Sequence, residues 1–200
     1  MTKNISKESL LKLADEIIDK GVQVKIATLS DELTISQVVK FFDKQGRYFT
    51  KTMIQNYIRV GVLPPPVDKR YYTKNHLVLL TLIDNLKAIY SLDEIRTVLE
   101  PIRNDLDVFE DDIIETVDVY KDYLIMREET LGKWKESLPK LFDKVDKLLG
   151  KDKVKENERN GATTFMIALT IMAETIAMRD LINGIMAEYI KGGTQKGTLA

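Results

Sequence analysis

Three consecutive prolines, Pro64-Pro65-Pro66, constrain this chain more than any other feature. Each lacks a backbone N–H and restricts the residue before it, so Val62-Leu63-Pro64-Pro65-Pro66 must leave in an extended form. Gly61 supplies the flexible residue that ends the helix before the run, and helical spacing resumes after Thr73. The stretch Thr50 to Leu99 therefore punctuates itself into helix, short strand-like wing, helix and helix.

The first of these helices carries a polar stripe. Thr52, Gln55, Asn56 and Arg59 recur at i, i+3, i+4 and i+7, while Met53, Ile54, Tyr57, Ile58 and Val60 fill the other side. The stripe has no carboxylate to repel a duplex, Gln and Asn can pair bidentately with adenine, and Arg reaches guanine or phosphate. After the prolines the chain returns through Lys69, Arg70, Tyr71 and Tyr72, two cations and two aromatic hydroxyls that with Lys51 suit a phosphate clamp. Adjacent residues of an extended segment face opposite ways, so one of the two tyrosines is expected in the core and the other toward phosphate.

These residues carry a resemblance. The run from Met53 to Pro65, then Arg70-Tyr71-Tyr72, then a helix, then Ser91-Leu92-Asp93-Glu94-Ile95-Arg96, resembles the DNA-binding head of MerR-type winged-helix regulators. More narrowly, Thr50-Lys51-Thr52-Met53-Ile54 with Asn56-Tyr57, and Leu63 to Val67 with Lys69-Arg70-Tyr71, are similar to a MerR-like domain family of unknown function from Gram-positive bacteria. The resemblance covers about residues 29 to 102 and implies a winged helix-turn-helix that binds double-stranded DNA. Two differences stand out: Asp43 to Phe49 is longer than the usual tight turn, and Gln55 and Asn56 stand where arginine and tyrosine are common.

Charge is segregated along the chain although its net value is only −1. From Lys40 to His76 there are eight cations against Asp43 and Asp68, and from Asn104 to Glu129 ten acids against Lys121 and Arg127. With no cysteine, thiolate metal sites, disulfides and cysteine nucleophiles are excluded, and a lone His76 argues against zinc or histidine acid–base chemistry. His76 reads as a capping or helix-surface residue. The acidic cluster Asp105, Asp107, Glu110, Asp111 and Asp112 lacks the central glycine and closing glutamate of a calcium loop. No phosphate-binding glycine loop or nucleophile elbow is present, so no enzyme activity, metal or cofactor is expected.

The remaining elements read as support. Ser6 to Lys20 forms an amphipathic helix, ended by Gly21 and expected to pack on the head as part of residues 1–28. Capping-box phrases at Thr34/Gln37 and Ser91/Glu94, and a cap at Thr73, open further helices, with Pro101 stopping the one from Ser91. From Asp111 to Leu138, Ile113, Val117, Tyr120, Leu124, Leu131, Trp134 and Leu138 fall at coiled-coil steps broken once at Arg127. Pro139 is expected to end or kink that helix, and Lys151 to Asn160 reads as a charged linker. Thr163 to Ile190 is strongly apolar, but Glu174, Arg179 and Asp180 interrupt it too often for a membrane span.

The expected fold class is all-α: a MerR-like winged helix-turn-helix head with a small wing, plus a C-terminal helical, coiled-coil-like dimerisation region at 103–191 and a disordered tail at 192–200. The expected function is a cytoplasmic, sequence-specific transcriptional regulator binding a pseudo-palindromic operator as a homodimer. Lys51, Thr52, Gln55, Asn56, Arg59, Lys69, Arg70, Tyr71 and Tyr72 would contact DNA, and Val117, Tyr120, Leu124, Leu131, Leu169, Met172 and Ile176 would dimerise. A small-molecule effector is compatible with this reading but no residue pattern supports one. The alternative is a protein-interaction adaptor that keeps the fold without binding DNA.

Overall fold

The computed structural model describes residues 5–20, 32–100, 103, 105, 108, 109 and 115–196. Gly21, Pro101, Asp107, Glu110 to Ile113 and the last four residues, on which several sequence expectations fall, lie outside them. The described residues form seven helices: α1 (Lys7–Lys20), α2 (Ile35–Asp43), α3 (Lys51–Arg59), α4 (Lys74–Leu86), α5 (Leu92–Leu99), α6 (Thr116–Lys153) and α7 (Glu156–Lys196). Among these residues strand-like pairing is limited to two antiparallel bridges, Leu33 with Tyr72 and Val67 with Tyr71. The chain divides into two compact units, residues 22–125 and residues 1–21 with 126–200.

In the first unit, the head, α2 to α5 each begin with a local side-chain cap. The Thr34 N–H donates to Gln37 Oε1 at 2.8 Å, the Thr50 hydroxyl accepts from the Met53 N–H at 3.1 Å, and Ser91 and Glu94 cap each other reciprocally. Such caps satisfy N–H groups that have no partner inside the helix. The end of α3 is equally local. Gly61 stands at φ +72°, its N–H reaches the Ile58 carbonyl and the Val62 N–H reaches that of Tyr57, the paired bonds of a Schellman turn.

Around these ends the core closes on α4. Leu77, Val78, Leu79, Leu80 and Ile83 are fully buried, packed with Val38 and Phe42 of α2, Ile54 and Tyr57 of α3, and Ile95 and Leu99 of α5. At about 25 cal/mol per Å² of buried apolar surface, each such leucine contributes on the order of 2 kcal/mol. Tyr120 is 1% exposed in this same cluster, with Val117 and Leu124 packed against it. The start of the expected coiled-coil seam thus packs on the head core, which corrects Tyr120 from a dimerisation residue to a core residue, with Val117 and Leu124 half-buried beside it. Their heptad spacing marked a buried stripe correctly but not what buries it.

In the second unit α1 packs Leu10 and Ala14 against Leu138 of α6, with Ile5 and Trp134 alongside. Lys7 pairs with Asp143, Lys135 with Asp15, and Arg127 donates to the Ile18 carbonyl at 3.2 Å. The N-terminal helix is therefore built onto the C-terminal helices, where the sequence had suggested the head. Arg127, which interrupts the seam spacing, is the residue that holds the last turn of α1. Pro139 lies within α6, and the backbone instead departs from helical geometry at Gly150, with φ +47°. Arg159 closes that turn on the Gly150 carbonyl and on Asp146 at 2.9 Å, so α7 starts at Glu156 and the expected charged linker is mostly helix. No helix of the described residues is long and apolar enough to cross a membrane.

Candidate nucleic-acid interface

The face of α3 turned away from the core carries Lys51, Thr52, Gln55 and Arg59, all exposed, with Asn56 half-buried between them. Ile54 and Tyr57 occupy the opposite, buried side, so the sequence stripe and the observed face coincide. The two amide and guanidine groups at its end are not independent. Arg59 donates to the Asn56 Oδ1 at 2.6 Å, which leaves Gln55 as the fully outward amide and makes Asn56 the group that aims Arg59.

After α3 the prolines carry the chain to a tight reversal at residues 67–71. Asp68 and Lys69 both adopt left-handed backbone, φ +52° and +59°, the Arg70 N–H closes on the Val67 carbonyl at 3.0 Å, and Val67 and Tyr71 pair. Two consecutive positive φ values with an i to i+3 bond are the pattern of a type I′ turn, which asparagine and glycine normally fill. Lys69, held there without a glycine, stands exposed at the tip beside Arg70, whose guanidinium lies 5.1 Å from the centre of the Tyr71 ring. Tyr72 is 3% exposed and belongs to the core, so it is corrected from a DNA-contacting residue to a structural one. Burial pushes its hydroxyl above the ordinary tyrosine range. Tyr71 is the half-exposed member of the pair.

His76 fastens this segment to α4. A backbone N–H can only donate, so the Thr73 N–H at 3.0 Å makes Nδ1 the acceptor and leaves the ring proton on Nε2, which donates to the Pro65 carbonyl at 3.2 Å. The Tyr72 and Phe109 rings meet the imidazole edge-on. His76 is thus a capping residue, as its position suggested, but a buried one rather than a helix-surface one.

Between α3 and the proline segment lies an open groove of about 340 Å³. Ile35, Ile58, Pro65, Pro66 and Tyr72 line it with Gln55, Lys69 and Arg70. The loop from α2 to α3, longer than a tight turn, is held by Arg47, which donates to Asp84 at 2.9 Å and to Asn85 at 3.3 Å. Arg47 is consequently one of the eight local cations that is turned inward. Burial alone would lower the pKa of Lys87, yet the hydrogen bond and charge of Asp84 outweigh it and hold Lys87 above its usual range. Sequence reasoning missed the Arg47 anchor, the Asn56–Arg59 bond and the exposure of Tyr48; the in-and-out alternation of Arg47, Tyr48 and Phe49 was the available signal. Of the remaining expected dimerisation residues, Leu131 is half-buried, and Leu169, Met172 and Ile176 are exposed on α7. Among the described residues no cluster of histidine, aspartate or glutamate is arranged to hold a metal.

These features define a helical head that presents one carboxylate-free helix face and one cationic turn across a shared groove. Residues 25–123, which include this whole surface, match the family model DUF1836, a domain of unknown function. No curated protein and no solved structure matches the chain.

Proposed function

We propose that the protein is a sequence-specific DNA-binding regulator with a MerR-like winged helix-turn-helix head, acting as a homodimer on a pseudo-palindromic operator. The observation that carries this reading is the groove that places Gln55 of α3 opposite Lys69 and Arg70 of the wing. In this arrangement α3 enters the major groove with Gln55 and Arg59 toward base edges and Thr52 beside them. Lys51, Lys69, Arg70 and Tyr71 contact the phosphate backbone and fix the register. Asn56 acts through Arg59.

Self-association is assigned to α7. Phe165, Leu169, Met172 and Ile176 are each more than a third exposed and follow one another at steps of four, three and four, a single stripe on one side of the helix. A stripe of that kind is an interaction surface, and a two-fold pair of heads doubles the DNA contacts. The same stripe also favours the second reading, an adaptor that offers α7 to a different protein and binds no DNA.

The deciding experiment is binding of the purified protein to random-sequence duplexes at low and moderate salt, followed by sequencing of the retained DNA. A two-fold-symmetric motif supports the regulator. No retention at either salt, together with a stoichiometric protein partner recovered in a pull-down, supports the adaptor.

A further inference from the structure

Tyr48 is 77% exposed, more than any other large apolar or aromatic residue among those described. Single exposed aromatic side chains are ordinary on protein surfaces, and exposure alone would carry nothing. What sets Tyr48 apart is how it is held. On one side of it Arg47 is 8% exposed and tied to Asp84 and Asn85 of α4. On the other Phe49 is buried, its ring 4.4 Å from that of Phe42 and 5.3 Å from the Lys87 ammonium. With its two neighbours anchored inward at 47 and 49, residue 48 is turned outward between them. Two residues later Thr50 caps α3, and Lys51 and Thr52, both exposed, follow. The ring therefore stands at the amino end of α3, whereas the wing leaves from its carboxyl end.

We propose that Tyr48 is a further positioning residue for DNA, packing its ring on a deoxyribose and donating its hydroxyl to a phosphate of the strand that passes the amino end of α3. This rests on the regulator reading. Tyrosine hydroxyls are regular phosphate partners, and Tyr48 beside Lys51 would strengthen the hold on the amino end of the nine-residue α3, opposite the wing contacts at its carboxyl end, and so fix its tilt as well as its depth in the groove. It also gives the long α2–α3 loop a purpose, since a tight turn has no room for the two anchors.

The test compares the full-length wild-type protein with Tyr48→Phe and Tyr48→Ala on the duplex selected from the random pool, at several salt concentrations, with thermal unfolding as the control for folding. Tyr48→Ala is expected to weaken binding by on the order of tenfold, the loss of a hydrogen bond to a charged oxygen and its ring contact, with Tyr48→Phe between it and wild type. The dependence on salt should stay as in wild type, because a neutral side chain releases no counterion, and the selected motif should not change. Wild-type affinity in Tyr48→Ala, or an altered motif, overturns the proposal while leaving the regulator reading intact. Failure of the wild-type protein to retain any duplex overturns that reading and this one with it.

Discussion

The Nε2–H of His76 donates to the carbonyl of Pro65 from 3.2 Å, so the only imidazole of the chain joins the first turn of α4 to the proline segment that flanks α3. Two functions meet in one ring, the cap of a helix and the tether of the proline segment. They are separable by substitution. His76→Ala removes both and leaves a cavity, and should cost about 3 kcal/mol in urea unfolding. His76→Gln retains an acceptor at the third helical position for the Thr73 N–H and should lose clearly less. Equal losses in the two variants would mean that the cap contributes nothing.

Lys69 makes a prediction with two signs. Its left-handed backbone costs an L-residue roughly 1–2 kcal/mol, so Lys69→Gly should raise the unfolding midpoint of the head. The same substitution removes a cation from the proposed DNA contact and should lower the slope of log affinity against log salt by about one. A variant both more stable and a poorer binder separates strain from function; a more stable variant with an unchanged slope would remove Lys69 from the interface.

Gly132 lies inside α6, and a methyl group added to it would meet no atom within 4 Å. Gly132→Ala should therefore stabilise the protein by about 1 kcal/mol, read as a higher urea midpoint at unchanged slope. A fall in the midpoint would place an unseen partner against that face of α6.

Tyr72 gives a dependence on pH. Burial raises its pKa above the value of 10.0 for a free tyrosine, so the neutral form is favoured in the folded head. The stability this brings is complete below the unfolded pKa and is lost as pH climbs through the folded one, in the alkaline range above about 10. Tyr72→Phe cannot ionise, and its unfolding free energy should fall less steeply there than that of wild type. Parallel curves for the two proteins would mean that the hydroxyl is solvated.

Much of the head was legible because its signals are local. Thr34 with Gln37, Thr73, and Ser91 with Glu94 act across three residues, and the polar stripe of α3 follows from helical spacing alone. What lay beyond reach depends on contacts distant in sequence. The spacing of Val117, Tyr120 and Leu124 announces a buried stripe, yet only the fold shows that the head core covers it. Leu10 and Ala14 likewise announce an apolar face without naming Leu138 as its cover. For the candidate site the residue types were readable, whereas the bond from Arg59 to Asn56 and the inward turn of Arg47 are side-chain choices that no periodicity encodes.

The reversal at Asp68 and Lys69 has a further consequence for any partner that docks on it. A loop that must be ordered on binding sets conformational entropy against the contacts it makes, about 1–2 kcal/mol for each residue fixed. Here the i to i+3 bond, the pairing of Val67 with Tyr71 and the bond from His76 to Pro65 have already fixed the segment during folding. Whatever meets Lys69 and Arg70 finds their backbone in place, and the free energy of that encounter goes into affinity rather than into ordering the chain.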